Sequence, residues 1–562
     1  MRPRTWRFLL GLLLLLPFAA CGGGSDSGGF SSSNAQIAIQ AQFEKRALTA
    51  SGFGATTLRP ARYCWAEVRD ASSGSLLASG YLGSDGTGLT TVPRGLQVYV
   101  QVFAQYQVPS ADPNSFFLRG SVKNAPEPSG AVSLAAFSAI PTWSVTSSTF
   151  LADRDGTLSV TALASNRIAG AFNIADQAVA FGAAVRDMDG STTLRLPNLH
   201  TFWTTSASAA DQQRTYPAVL AGPGATILTS DSGRALFGHQ VYGLGGGAPN
   251  TETDEWDDGV LQETFARLLF ADYSYKPDGS SILSLLRRDN DNVWVDRTVQ
   301  SESTAAFAAG FSDFLSAAVR NDSRILDSYV DGSGVARVDV FDLTDHTYVP
   351  AAAKGEFARG SIAVSLWGIW KNVLGGGSAG LNTLWAAVRS TTPYANGTGE
   401  YEQATLGCYP TYLQGVITRV SIPTWTAALG ELALEAVPNP DATYFAGTAL
   451  WETRSLPFAV PGSLQTYAAS ANLYYDRNQS QAWRFVHPGG ARTLTMTPTS
   501  GQDFYLELIG PGGWVDGSTS SALTGQTRIL TFSSLPAGTY VARVRAGATT
   551  ATGLNTYTIS VN

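Results

Sequence analysis

TDEWDDGVLQETFARLLF (Thr253–Phe270) changes character halfway along. Its first part carries Asp254, Glu255, Asp257 and Asp258. Its second part places Val260, Leu261, Phe265 and Leu268 at helical spacing. The pattern predicts an acidic approach followed by a helix from about residue 257 to 270. Acids at a helix start suit the positive end of the macrodipole. The same four carboxylates could hold Ca²⁺ through oxygen ligands, although they lack the spacing of an EF-hand loop. The alternative is a solvated helix N-terminus. Glu263 and Arg267 stand four apart and carry opposite charges, so one turn brings them together as an ion pair.

The surrounding sequence continues the helical signal. Phe172–Val179 opens an Ala-rich helix, with Asn173 as its expected N-cap. Leu199–Trp203 and Ala235–Gly243 read as short strands. Thr304–Val319 is a helix with Phe307, Phe311, Phe314 and Leu315 on one face. Gly360–Val373 and Gly380–Val388 extend a mostly helical section.

Four segments of this section resemble a bacterial family of secreted zincin-like proteins. Its members run F-N-I-x-D, then D-T-D-E-[FY]-D-[DE]-x-V-[IL]-x-H-E-[FW]-G-H, then A-[WF]-x-E-G-[FW], then a helix like S-V-A-x-x-L-W-D. The matches are Phe172–Asp176, Thr253–Leu261, Ala306–Phe311 and Ser361–Gly368, in the same order. The resemblance implies a metallopeptidase scaffold whose chemistry has been lost. The first zinc His falls on Glu263, the catalytic Glu on Thr264, the second His on Arg267, and the third ligand on Ala309. A guanidinium stays protonated and cannot bind zinc, and a zinc-activated water needs about three ligands plus an open position. Shifting the frame by one keeps Glu263 as a base, but Gln262 and Ala266 then flank it and supply no imidazole. Packing positions Val260, Leu261, Phe265 and Gly310 keep their type. The resemblance therefore implies a pseudopeptidase, with no metal and no cofactor.

Strands flank this section on both sides. In Leu96–Ala104, Leu96, Val98, Val100 and Val102 alternate with Gln97, Tyr99, Gln101 and Phe103, a period of two. Strands at Ala66–Val68 and Leu76–Tyr81, with turns at Ser84–Thr87 and Pro93–Gly95, precede it. The run from Pro60 to Val102 resembles the transthyretin-like or carboxypeptidase-regulatory-like β-sandwich, which implies a non-catalytic spacer. Near the C-terminus, Ala482–Val486, Thr493–Thr497, Phe504–Ile509, Thr527–Phe532 and Tyr540–Val544 are short strands between Gly- and Pro-bearing turns. The series includes Leu535–Val541, LPAGTYV, and resembles the pre-peptidase C-terminal β-sandwich, a module without chemistry of its own.

At the N-terminus, Arg2, Arg4 and Arg7 precede the apolar run Phe8–Leu16. This run is far shorter than the about 20 residues that span a bilayer. It leads into Phe18-Ala19-Ala20-Cys21, which resembles the lipobox of bacterial lipoproteins, with Phe18 where Leu is usual. The resemblance implies cleavage before Cys21 and acylation of that residue. Gly22, in place of Asp, favours the outer membrane. Gly22–Gly29 then reads as a flexible leash. No other run reads as apolar enough for a transmembrane helix.

Net charge is −7 with no basic block, which argues against nucleic acid as a partner. Cys64 and Cys408 read as buried free thiols, and a disulfide is permitted in this compartment but not implied. The four histidines, His200, His239, His346 and His487, form no H-x-H or H-x-x-x-H pair. A metal site from His200 and His239 is conceivable; isolated polar side chains are the alternative. No G-x-S-x-G elbow, P-loop or dinucleotide fingerprint occurs.

The expected fold class is multidomain α+β. It comprises a signal peptide (1–20), a leash (21–35), an N-terminal β-sandwich (36–150), a mostly helical zincin-like domain (165–460) and a C-terminal β-sandwich (465–562). The expected protein is an outer-membrane lipoprotein that meets the membrane through its lipid and acts by binding envelope or extracellular proteins. An active hydrolase with an unrecognised site, and a purely structural surface lipoprotein, are the alternatives.

Overall fold

The computed structural model describes residues 33–110, 116–125, 139–190, 196, 198–205, 239–244, 251–273, 297–298, 303–331, 333–389, 409–441, 452–466, 480–499, 502, 504–510, 513–517, 525–546 and 553–562. The signal and leash segments, Cys21 and Cys408 lie outside the described residues.

Alternation builds the N-terminal half. In β1 (Asn34–Thr49), Ala35, Ile37, Ile39, Ala41 and Phe43 are buried and the residues between them are exposed or half-buried. There follow β2 (Gly52–Pro60), β3 (Cys64–Asp70), β4 (Leu76–Tyr81), β5 (Thr87–Pro93), β6 (Gln97–Pro109), β7 (Phe116–Lys123), β8 (Ser144–Thr146), β9 (Phe150–Leu151) and β10 (Gly156–Ala162). In β6 the expected face is the buried one: Val98, Val100 and Val102 are fully inside. One sheet runs β10–β1–β2, with β5 also on β1. The other runs from β4 through β3, β6 and β7, with β8 and β9 on β6.

These sheets do not stop at residue 150. β10 pairs in parallel with β1, Ile37 opposite Gly156. β11 (Asn198–Trp203) pairs in parallel with β7, and β12 (His239–Leu244) pairs in parallel with β11. Both late strands come from the section expected to be zincin-like. Parallel pairing needs a long crossover, and between β10 and β11 lies α1 (Ile168–Asp189). It packs on β1, β6 and β7. One continuous apolar core, from Ala35 to Val437, joins these sheets to the helices.

Asn173 is not the cap of α1. The helix starts five residues earlier, after Arg167 in the left-handed conformation (φ 63°), and Asn173 is buried in its interior. Its side chain serves a distant partner, donating from Nδ2 to Glu255 O at 2.8 Å and to Asp258 Oδ1 at 3.2 Å. By length and composition α1 is apolar enough to cross a membrane, contrary to the sequence reading. It is a mostly buried helix of the core.

β13 (Thr251–Glu252) and a 3₁₀ turn at Asp254–Trp256 lead into α2 (Asp258–Tyr273). α3 (Ser303–Arg320) packs against α2, and Ser316 Oγ donates to Gly259 O at 2.7 Å across the contact. As its spacing predicts, α3 buries Phe307, Phe311, Phe314 and Leu315. The mostly helical section then contains an unforeseen hairpin, β14 (Arg324–Val330) and β15 (Ala336–Asp342), which forms a three-stranded sheet with β13. α4 (Arg359–Gly368) continues into a π-helical turn at Ile369–Val373, and α5 (Ser378–Arg389) follows. α6 (Tyr409–Ile417) and α7 (Ile422–Leu434) complete the section. α7 is capped by Ser421, whose Oγ accepts from Thr424 N at 3.3 Å.

Among the described residues the C-terminal unit shows nine strands: β16 (Glu452–Thr453), β17 (Phe458–Thr466), β18 (Ser480–His487), β19 (Gly490–Pro498), β20 (Phe504–Gly510), β21 (Gly513–Gly517), β22 (Arg528–Leu535), β23 (Gly538–Ala546) and β24 (Gly553–Val561). They form two sheets, β16–β18–β23–β20–β21 and β17–β24–β19–β22. Trp483, Phe485, Leu506, Tyr540 and Ile559 fill a second core between them, making a β-sandwich. Its first strands precede residue 465. In the LPAGTYV segment, Tyr540 turns back and donates its hydroxyl to Pro536 O at 2.9 Å.

Candidate functional site

The residues carried over from the zincin motif sit at the meeting of α2, α3 and α4. Glu263 and Arg267 occupy successive turns of α2, and Ala309 is buried on α3. The expected ion pair forms: Arg267 Nε donates to Glu263 Oε1 at 3.0 Å, and its Nη2 donates to the same oxygen. The pair is not isolated. Arg359, fully buried at the start of α4, donates from Nη2 to Glu263 Oε1 at 3.1 Å. Its Nε and Nη2 also donate to Asp313 at 2.6 and 2.8 Å. Arg297 donates to the same carboxylate from Nε at 3.2 Å and from Nη2 at 2.9 Å.

The result is a chain of alternating charge, Arg267–Glu263–Arg359–Asp313–Arg297, running from α2 through α4 and α3 and buried except at the half-buried Arg267. Asp313 lies one helical turn beyond Ala309. Burial alone would push its carboxyl up; the guanidiniums of Arg297 and Arg359 overcome this and lower it to about 2. Burial drags the Arg359 guanidinium down, and Asp313 opposes that loss. Close helix packing makes the arrangement possible. A Cβ on Gly310 would meet Arg359 O and Ile362 Cβ, each at 2.7 Å. Glycine there lets α3 approach the start of α4. The carboxylates here face permanent cations, which compete directly with a dication. Thr264, which the resemblance puts at the place of the catalytic Glu, is buried, and its Oγ1 has no hydrogen-bond partner among the described residues.

The four acids ahead of α2 divide. Glu255, fully buried, pairs with Arg167. Burial raises its carboxyl, and Arg167 opposes the rise. Asp258 pairs with Lys45 of β1. Asp254 and Asp257 instead meet Asp327 of β14, with carboxylate oxygens of all three within 4.8 Å of one another. Asp257 accepts from Ser328 N at 2.6 Å and Ser328 Oγ at 2.5 Å. Burial, then the charges of Asp327 and Asp254, push its carboxyl well up. Burial likewise raises Asp327 to about 6, with Arg297 pulling the other way and Asp339 adding to the rise. Because Asp254, Glu255 and Asp257 are buried, this segment is not a solvated helix end.

The described histidine side chains meet other partners. His200 Nδ1 lies 2.8 Å from Ser121 Oγ, and the two are directly opposite on β11 and β7. That is a buried cross-strand pair. His239 lies opposite Asn198 in β12, and its side chain is outside the described residues. His346 pairs with Glu435 at 2.8 Å. Cys64 is a buried free thiol, and burial pushes its pKa far up, which makes it unreactive.

Sequence reasoning located Glu263 and Arg267 but missed Arg359, Asp313, Arg297 and Asp327. Asp313 offered a usable signal, since it stands one turn after Ala309 and its neighbours three and four places away, Ala309, Gly310, Ser316 and Ala317, are all small and uncharged.

No protein-family model matches this sequence, and no curated protein matches it. Among solved structures, the chain is similar over 20% of its length to the pre-peptidase C-terminal domain of collagenase from Bacillus anthracis, covering 97% of that chain at 13% identity and a TM-score of 0.16. It is also similar over 20% of its length to PliG, a periplasmic inhibitor of g-type lysozyme from Aeromonas hydrophila, covering 95% of that chain at 13% identity and a TM-score of 0.15. Neither likeness bears on function.

Proposed function

We propose that this chain is an outer-membrane lipoprotein, anchored through an acylated Cys21, whose helical section is a catalytically dead, zincin-like domain. Its role is binding or scaffolding at the cell envelope, toward envelope or extracellular proteins and not nucleic acid. One observation carries the inactive reading: the largely buried chain Arg267–Glu263–Arg359–Asp313–Arg297. On this reading, guanidiniums hold α2, α3 and α4 together where an active relative would use a shared ion. Glu263 and Asp313 together would give a metal two carboxylates, both already held by guanidiniums and too few for a structural or catalytic zinc site, and Ala309 has no donor atom.

Metal analysis of the purified protein, combined with long incubation against unstructured protein substrates, tests the reading. The expected result is zinc far below one equivalent and intact substrate. Stoichiometric zinc with chelator-sensitive hydrolysis would establish the active-hydrolase alternative. Failure to recover any partner from envelope extract would favour the purely structural one.

A further inference from the structure

The C-terminal sandwich carries a concavity of about 500 Å³, formed where β16, the segment leading into β17, the end of β18 and the start of β19 meet. Its volume falls inside the range of about 300–1,000 Å³ usual for small-molecule sites. Two chemistries meet there. Arg454, Arg484 and Arg492 line it with positive charge, and Leu456 and Val486 line it with apolar side chains. Among the described lining residues there is no carboxylate.

The wall is built from paired backbone. β16 pairs in parallel with β18, with Thr453 opposite Arg484, and Arg454 N donates to Arg484 O at 2.8 Å. Arg492 is held from behind, because its Nε donates to His487 Nδ1 at 3.2 Å. His487 Nε2 lies 3.3 Å from Gly490 O, so this pattern assigns the ring proton to Nε2 and the lone pair to Nδ1. Glu452 pairs with Arg454 and offsets one of the three charges. The floor is continuous with the second core: Phe485 is fully buried and packs against Phe458 and Tyr540. Val486 beside it is 64% exposed, a large apolar side chain left to solvent.

We propose that this concavity binds a small organic anion, with a carboxylate or phosphate head on the arginines and an apolar body against Leu456 and Val486. Guanidiniums match planar carboxylate and phosphate oxygens through paired hydrogen bonds. In a chain of net charge −7, three arginines around one concavity form a local basic site. A free dication is repelled by them. A neutral apolar molecule gains nothing from the positive charge of the arginines, and an inorganic anion leaves Val486 uncovered.

Calorimetric titration of the full-length protein tests this with four probes: phenylacetate, phenyl phosphate, inorganic phosphate and benzyl alcohol. Both organic anions should bind at least about tenfold more tightly than either partial probe. The order of the two identifies the preferred head group. Arg454 is exposed, so Arg454→Gln should keep the unfolding temperature and weaken both anions by about tenfold. The double variant Arg484→Gln/Arg492→Gln should abolish binding. Val486→Ser should weaken the phenyl-bearing anions and leave inorganic phosphate unchanged. Benzyl alcohol or inorganic phosphate binding as tightly as the matching phenyl anion overturns the two-part site. Anion binding unaffected by Arg454→Gln overturns the role of the arginines, whether or not the double variant folds.

Discussion

Asp313→Asn is the most informative change available in this molecule. Asp313 is fully buried and accepts four hydrogen bonds, from Arg359 at 2.6 and 2.8 Å and from Arg297 at 2.9 and 3.2 Å. Asparagine keeps the shape but removes the charge, and it turns one acceptor into an NH₂ donor that faces guanidinium donors. Two buried cations then share one neutral oxygen in place of a carboxylate, while Arg359 keeps Glu263. Breaking a buried ion pair by removing one partner costs about 3–5 kcal/mol, and that is the expected loss. Arg359→Met is the control. It removes the central cation yet leaves two complete pairs, Arg267–Glu263 and Arg297–Asp313, so its cost should be smaller. Urea unfolding at pH 7, followed by far-ultraviolet dichroism and tryptophan fluorescence, measures both variants. The C-terminal sandwich has its own core and supplies an internal reference transition. The pH dependence gives a second reading. The Asp313 carboxyl is lowered from 3.8 to about 2, so its contribution is fully present above pH 4 and lost as pH falls through 2. That contribution is about 2 kcal/mol, and the penalty of Asp313→Asn should shrink by that amount between pH 5 and pH 2. A loss under about 1 kcal/mol at pH 7, or Arg359→Met proving the costlier change, would refute the reasoning from uncompensated buried charge.

Asp327 shows the opposite sign. Its carboxyl is raised to about 6, so its favourable contribution is present below pH 3.8 and lost as pH rises through 6. The stability of wild type relative to Asp327→Asn should fall by on the order of 1 kcal/mol between pH 4 and pH 8, as read by thermal unfolding at both values. Gly310→Ala should destabilise the helical section by about 1–3 kcal/mol through overpacking, which calorimetry will detect. Cys21→Ala should move the protein out of the detergent phase with no change in unfolding temperature. An unmodified mature N-terminus in the wild-type protein, seen by mass spectrometry, would rule out the anchor.

Local periodicity carried much of the fold. Leu76–Tyr81 occurs with the expected bounds, and the buried faces of β6 and α3 are those their spacing predicts. The hairpin β14–β15 also had a local signal, the Asp331–Gly334 turn between β-branched runs. Its strands are interrupted by Asp327, Arg337 and Asp339, which weakens the alternation. Asn173 misled because an Asn beside a helical run has the same appearance as a cap, while its actual partner is 82 positions away. The packing of the helix bearing Ala309 against that bearing Glu263 was legible, but the ion pairs were legible only within a single helix. Glu263 and Arg267 are close in sequence, whereas Arg359 reaches Glu263 across 96 positions and Asp313 across 46. No local pattern encodes pairings at such separations.

The parallel partners of β1 and β7 bear on how the chain is made. Synthesis proceeds from the N-terminus, and early segments can begin folding before later ones exist. Here β1 remains without its β10 neighbour until residue 162 has emerged, and β7 without β11 until residue 203. Until then each presents an open row of backbone donors and acceptors, the template that mispairs with other chains. A nascent chain ending near residue 150 should therefore be aggregation-prone even with most of its strands already present. The interval between the emergence of β7 and that of β11 is when a holding chaperone would matter most.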